Sequence, residues 1–558
     1  MITTEQADEL EALTLPLTAT AHANLLQSLK GFDNEIGTAH SFALHCLLDG
    51  FTKMAQGDLQ GRIAWGLAPG LGKTRAIIEW AYVVHTQTLP YSLLVCAAKI
   101  DQLCTIKQDM INRGIPEEKI GIVHSDGPKE HAFPATEDNE SRPILLATHK
   151  RLKTTVYDLQ HLHLYHNEKR SLMVWDEALI TSESMIFDAK VLITDLSGML
   201  GVIATKPPTQ ASVEPTEKFK TWLTTWKDLL TSTLQNWEPG TRGLMPAQPY
   251  TLGDDDLEPF IGRIKRYGCT GLLRFHALCD HPFRMMVDGQ AALVGFTIKV
   301  RAEETDMMIL DASYTIHELE KADASIVDAQ TLEPWVSSGF GTFAEIKRFD
   351  RMTIHRLAHS GARIHVVKDK AVSGSLVREV VKVIGDLKPS DHALIFTYLK
   401  TPSGKDLAAH LKRELQAKRI ATNRTADDGT GKLKPCLNWL TWGQETSVND
   451  FSFCNVLILV GILHLPMIEV AVRHMGQKQS LEYTSTKDEL EALGLSDRTV
   501  KAHQGVSRGV NRQTFVDAAG HTQAKECTVW MIERDPRIEN GLPYGNVSRS
   551  TDRQLDTD

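Results

Sequence analysis

At Gly66 the chain leaves an apolar run, Ile63-Ala64-Trp65, and passes through Leu67-Ala68-Pro69-Gly70-Leu71-Gly72-Lys73-Thr74 into the amphipathic stretch RAIIEWAYVV. Gly70 and Gly72 permit a tight turn with its N–H groups facing inward, and a helix opening at Lys73 adds the unsatisfied amides of its first turn. Polyphosphate binding needs this layout, with Lys73 on the β- and γ-phosphates and the Thr74 hydroxyl on Mg2+. The pattern G-x-x-x-x-G-K-[ST] is met at Gly72, Lys73 and Thr74, with Leu67 in place of its first glycine. A purely structural glycine turn explains the glycines but not Lys-Thr opening a helix after a buried strand.

A strand, a phosphate loop and a helix in that order belong to parallel α/β sheets, and the neighbouring sequence agrees. The runs RIAWGL, SLLVCAA, IGIVHS, PILLATH and SLMVWDE alternate with helix-like segments. They are rich in Val, Ile and Leu without strict alternation, the mark of strands buried on both faces. SLMVWDE ends in Asp176 and Glu177, which a strand end places at the carboxyl edge of the sheet beside the phosphate loop. One carboxylate can hold Mg2+ through water and the other can orient or deprotonate the attacking water.

At 558 residues the chain exceeds a single core. Between about 181 and 300 the texture changes to segments such as KFKTWLTTWKDLLTSTLQNW, which predicts an inserted, mainly helical subdomain. Trp222 and Trp226 fit its core, and with Trp237 they could instead stack on bases. Asp254 to Asp256 read as a solvated loop. Strand-like runs resume at Asp306 to Tyr314, and a second α/β pattern begins near 360 with RIHVV, HALIFTY, VLILVG and CTVWMI. Ser403 and Asp406 predict a capping box ahead of Leu407, Leu411 and Leu415. The C-terminal twenty or so residues are polar and predicted to fray.

The net charge of −9 gives no overall attraction to nucleic acid, so such binding requires a local groove. Lys405 to Lys434 holds eight basic residues against four acidic ones, which suits either a strand-tracking groove or a solvated face. Eight cysteines without a C-x-x-C pair point to buried thiols. The acidic N-terminus MITTEQADELEALTLPL lacks the pattern of an export signal, and a cytoplasmic location is expected. Val456 to Val472, broken by His464, Pro466 and Glu469, reads as a buried strand and a helix, so no membrane span is expected. His161 with His163, and Cys279 with His281, lack the partners that a metal site or a thiol catalyst needs.

Asp176-Glu177-Ala178-Leu179, taken with the phosphate loop, resembles the D-E-A-x motif of the DEAD/DEAH-like helicases of superfamily 2. The resemblance spans most of the chain. LLVCAAKIDQL is similar to motif Ia and ILLATHKRL to the next strand-loop, whose Thr148 and Arg151 become candidate nucleic-acid contacts. Asp311, Ala312 and Ser313 occupy the slot of the motif that couples hydrolysis to domain movement. HALIFTYLK resembles motif IV. LTWGQETSVNDFSFCNVLILVG resembles motif V, with Gly443, Thr446, Ser447 and Asn449 in its loop. HQGVSRGVNR resembles motif VI, with Gln504, Arg508 and Arg512 facing the nucleotide. The family's motif VI spaces its arginines three apart, whereas here they stand four apart with Ser507 for a glycine, and Arg508 is favoured for the γ-phosphate.

The resemblance implies two RecA-like parallel-sheet domains: an N-terminal helical segment over 1–55, domain 1 over 56–335 with the insertion, domain 2 over 336–536, and a polar tail over 537–558. It implies ATP and Mg2+ as ligands, held by Gly70, Gly72, Lys73, Thr74 and Asp176. Glu177 would prepare the water, and Arg508 and Arg512, with Gln504, would sense the γ-phosphate. Nucleic acid is the implied partner, DNA ahead of RNA, and the insertion can take a protein partner. A packaging-type ATPase and a nucleotide-gated remodelling or scaffold ATPase share the phosphate loop and the Asp-Glu pair and remain alternatives.

Overall fold

The computed structural model describes residues 4–124, 131–154, 162–205, 213–236, 244–245, 251–276, 279, 281–288, 290–300, 306–359, 370–401, 406–444, 450–545 and 547–550. These fall into two compact units: residues 1–179, 300–464 and 492–558 form one, and 180–299 with 465–491 form the other.

The first unit holds two parallel sheets. One has seven strands, ordered Ile326–Asp328, Arg62–Ala64, Met307–Leu310, Leu172–Asp176, Leu93–Ala97, Ile144–Thr148 and Ile120–Val123, all parallel. Its inner strands are mainly apolar because both of their faces are covered. Leu93, Val95 and Ala97 enter one core while Leu94 and Cys96 enter the core on the opposite face. The N-terminal helices Thr4–Gly31 and Thr38–Gln56 close the first of these. Leu17, Ala21, Leu25 and Leu29, one helical turn apart, are all buried there.

The other parallel sheet has six strands, ordered Leu437–Thr441, Ala393–Thr397, Val456–Val460, Cys527–Ile532, Met352–Leu357 and Ser548–Ser550. These are the two parallel sheets expected from the sequence, and both lie in the one compact unit. RIHVV lies outside the described residues. The strand Met352–Leu357, which was not read from the sequence, stands beside Cys527–Ile532. A further small sheet joins Lys347–Arg348, Thr522–Ala524 and Thr514–Val516. The expected frayed end is instead packed up to residue 550: Ile538, Leu542, Tyr544 and Val547 belong to the second core, anchors too sparse to stand out in a polar stretch.

Ser403 lies outside the described residues. The helix Leu407–Ala417 is capped by Asp406 itself, whose carboxylate accepts from Ala409 N at 2.9 Å. All eight cysteines are buried, with no disulfide between them. Among the described residues no helix is long and apolar enough to cross a membrane.

In the second unit, helices predominate but carry an antiparallel sheet that the helical expectation did not include. Its order is Ser182–Asp188, Gln290–Ile298, Phe283–Asp288 and Leu244–Met245. Trp222 and Trp226 are buried with Phe219, Phe260 and Phe275, so they are core and not a base-stacking platform. Trp237 lies outside the described residues. Asp254, Asp255 and Asp256 form the first turn of the helix Asp254–Arg266 and complement its positive end; they are not a loop. The helix Met467–Gln477 follows the strand Val456–Val460, as expected, and packs on this antiparallel sheet. Gln477 Oε1 accepts from both Thr181 N and Thr181 Oγ1 at 3.0 Å.

Candidate active site

The strand Arg62–Ala64 delivers the chain into the glycine turn, where Gly70 and Gly72 adopt φ of 84° and 93°, conformations open to glycine at little cost. The helix Lys73–Thr86 starts immediately after. Three of the turn's carbonyls are held by donors: His40 Nε2 donates to Leu71 O at 2.9 Å, Lys347 Nζ to Pro69 O at 2.8 Å, and Lys73 Nζ to Leu67 O. Left-handed glycines in such a turn can bring successive amides to bear on an anion. A side chain on Gly72 would collide with Leu29 of the first helix, so the turn is also packed from behind.

Asp176 ends the strand Leu172–Asp176 and Glu177 follows in the left-handed region at φ 83°. That conformation is costly for a residue with a side chain, and the surroundings hold it: Glu177 N donates to Leu310 O of the adjacent strand at 3.3 Å. Gln102 Nε2 donates to Asp176 Oδ2 at 2.6 Å. Burial pushes Asp176 up to about 6, with Lys73 opposing. Burial and then Asp176 push Glu177 up to about 8, with Arg508 opposing. Burial draws Lys73 down to about 8 against the pull of Asp176 and Asp311.

These groups are enclosed by protein yet line a cavity of about 530 Å³, which gives them partial contact with solvent. Gly70, Gly72, Lys73, Thr74, Asp176 and Glu177 line it from the first sheet. Gln504, Arg508 and Arg512 reach it from the end of the helix Lys487–Val506 and the turn after it. Arg508 and, after it, Lys501 are the cations that act on Glu177, and Arg512 acts on Lys73 and Asp176.

Asp311, Ala312 and Ser313 also line the cavity. Asp311 accepts from Ser313 N at 2.9 Å and from Ser313 Oγ at 2.7 and 2.8 Å. Behind it His317 Nδ1 lies 3.8 Å from Asp311 and 3.4 Å from Glu320, whose other oxygen accepts from Leu179 N at 2.7 Å. Burial acts against a charged His317, but the two carboxylates outweigh it and hold His317 up at about 9. Among the described residues this is the one grouping of three metal-type side chains, and its charges are engaged with each other. Ser496 Oγ, on the helix that bears Gln504, donates to Ile316 O at 2.7 Å and accepts from Glu318 N at 2.9 Å. The segment after Ser313 is thereby tied to the arginine-bearing element.

Of the expected nucleic-acid contacts, Thr148 and Arg151 are not among the cavity residues. Thr148 is buried and its hydroxyl accepts from Arg151 N at 3.1 Å, capping the short helix His149–Thr154. Thr446, Ser447 and Asn449 lie outside the described residues. Lys99 Nζ donates to Gln444 O at 3.1 Å, so the loops read as motifs Ia and V meet. His161 lies outside the described residues. Burial, Lys169 and Arg170 push His163 down to about 4. Cys279 Sγ donates to His276 O at 3.2 Å.

Sequence reading missed Phe32, Asn34 and Gln102, which line the cavity as well. Phe32 is 59% exposed, with the Arg75 guanidinium 5.8 Å from its ring centre. A lone aromatic in the turn-rich stretch KGFDNEIG was the available signal for Phe32; Gln102 left none.

No protein-family model matches the sequence, and no curated protein does. Among solved structures there are distant likenesses. The chain is similar to S. cerevisiae Dbp5 bound to RNA and ADP BeF3, at 10% identity and a TM-score of 0.40 over 94% of this chain and 95% of that one. It is similar also to a DEAD box protein from the hyperthermophile Methanococcus jannaschii, at 10% identity and a TM-score of 0.30 over 95% and 96% of the two chains. Likenesses this distant transfer no residue role, and the two parallel sheets are read from the pairing of this chain's own strands.

Proposed function

We propose that the chain hydrolyses ATP in the cleft between its two parallel sheets and uses the cycle to translocate along, or unwind, nucleic acid. One observation carries the reading: Lys73, Thr74, Asp176 and Glu177 from one sheet and Gln504, Arg508 and Arg512 from the other line a single cavity. Its volume, about 530 Å³, lies within the range of small-molecule sites. The left-handed glycines and the helix that starts at Lys73 suit the polyphosphate. Thr74 and Asp176 would hold Mg2+, which when bound neutralises charge on the β- and γ-phosphates.

The division of labour follows from the surroundings of each group. Lys73 supplies a fixed cation on the phosphates. Glu177 orients the attacking water and takes its proton, and Arg508 from the second sheet lowers its affinity for that proton. Hydrolysis then depends on the second sheet being in place, because its arginines both ready the base and stabilise developing charge. ATP binding favours closure and product release favours opening, which is the cycle a motor needs.

The test is steady-state phosphate release with single- and double-stranded DNA and RNA. Stimulation of at least several-fold by one of them is expected. A rate indifferent to all four would reject the motor and leave the nucleotide-gated scaffold, a reading favoured by the insertion's separate core and the net charge of −9.

A further inference from the structure

Lys347 is buried on the short strand Lys347–Arg348, in the segment that leads from Ile326–Asp328 of the first sheet to Met352–Leu357 of the second. Among the described residues no acidic side chain forms an ion pair with it. Its Nζ donates to Pro69 O at 2.8 Å and to Arg512 O at 3.2 Å. The charges acting on it are the cations Arg512 and Lys73, and burial together with these pushes it well below its ordinary value.

A buried ammonium group without a counter-ion is costly, and a methionine would fill similar space without that cost. What the lysine adds is directional donors, spent on two carbonyls from separate parts of the chain. Pro69 belongs to the phosphate turn and Arg512 to the arginine turn. Gly70, next to Pro69, packs directly on the Arg512 peptide: a side chain there would collide with Arg512 O. The Arg512 carbonyl is therefore fixed from two sides, by Gly70 and by Lys347.

We propose that Lys347 is a positioning residue for the arginine turn: by bridging the Pro69 and Arg512 carbonyls it sets where Arg512 enters the cavity, so the connector between the sheets fixes the arginine. The proposal rests on the reading of the cavity as an ATP-hydrolysing site. Lys347 acts through Arg512 and makes no contact with the reacting phosphates. ADP lacks the γ-phosphate that Arg512 would meet, so the substitution should weaken ADP binding less than it slows turnover.

The experiment is a double-mutant cycle of Lys347→Met and Arg512→Ala in the full chain, with MgATP turnover and displacement of a fluorescent ADP analogue by ADP. Lys347→Met alone should lower kcat at least tenfold, a larger loss than its loss of ADP affinity. Lys347→Met added to Arg512→Ala should cost less than a further twofold. Near-normal kcat in the single variant, or a loss that multiplies in full on the Arg512→Ala background, overturns the proposal. If Lys347→Met does not fold, as judged by its melting curve, Lys347→Gln enters the same cycle with the same criteria. Lys73→Ala separates the two levels: hydrolysis retained there sinks the ATP reading. An inactive Lys73→Ala beside an unaffected Lys347→Met sinks the positioning role alone.

Discussion

The carbonyl carbon of Arg512 lies 2.8 Å from the point where a Cβ on Gly70 would stand. The phosphate turn and the arginine turn meet backbone to backbone, and one methyl group suffices to part them. Gly70→Ala should lower MgATP turnover at least tenfold. Gly57 is the matched control, with the same φ of 84° and nothing within 4 Å of its Cβ position. Gly57→Ala meets only left-handed strain, about 1 kcal/mol, and should leave kcat unchanged. Phosphate release and thermal melting of the two variants check the contrast, and equal activity would show that the turns need not touch.

Phe32 offers an exposed ring at the cavity wall and suits stacking on the base. Base–aromatic stacking contributes about 1–3 kcal/mol, so Phe32→Ala should raise the KM for ATP roughly tenfold with little change in kcat. Tripolyphosphate, which has no base, should bind the variant and the wild type alike. A KM unaffected by the substitution would remove Phe32 from the site.

His317 and Glu320 give folding stability a pH dependence of definite sign. His317 is raised from 6.5 to about 9, so its contribution is whole below pH 6.5 and is lost as pH rises through about 9. Glu320, raised by burial and by Asp311 from 4.5 to about 8, also keeps a proton that the unfolded chain has lost, and its contribution falls in the same direction. The melting temperature should drop by a few degrees between pH 6.5 and 9. His317→Gln should flatten that drop without abolishing it. An unchanged slope would mean that His317 is not the responsible charge.

The sheets were legible because their central strands, Leu93–Ala97, Ile144–Thr148 and Val456–Val460, are short apolar runs buried on both faces. The glycine turn before Lys73 and the strand end at Asp176-Glu177 were legible because each follows a short apolar strand, and the structure brings both to one cavity. Met352–Leu357 was not, since its Thr353, His355 and Arg356 interrupt the apolar pattern. The antiparallel sheet was hidden because Ser182–Asp188 pairs with Gln290–Ile298 across a hundred residues of helical texture. Gln102, His40 and Lys347 act on groups distant in sequence, and only the folded chain brings each of them to its partner.

Phosphate release from MgATP by the wild type and by Glu177→Gln, measured side by side, tests the central claim most directly. A general base contributes about 10²–10⁴-fold, so the account predicts steady turnover in the wild type and at least a hundredfold loss in the variant, with melting and nucleotide binding retained. Equal turnover by the two proteins would contradict it.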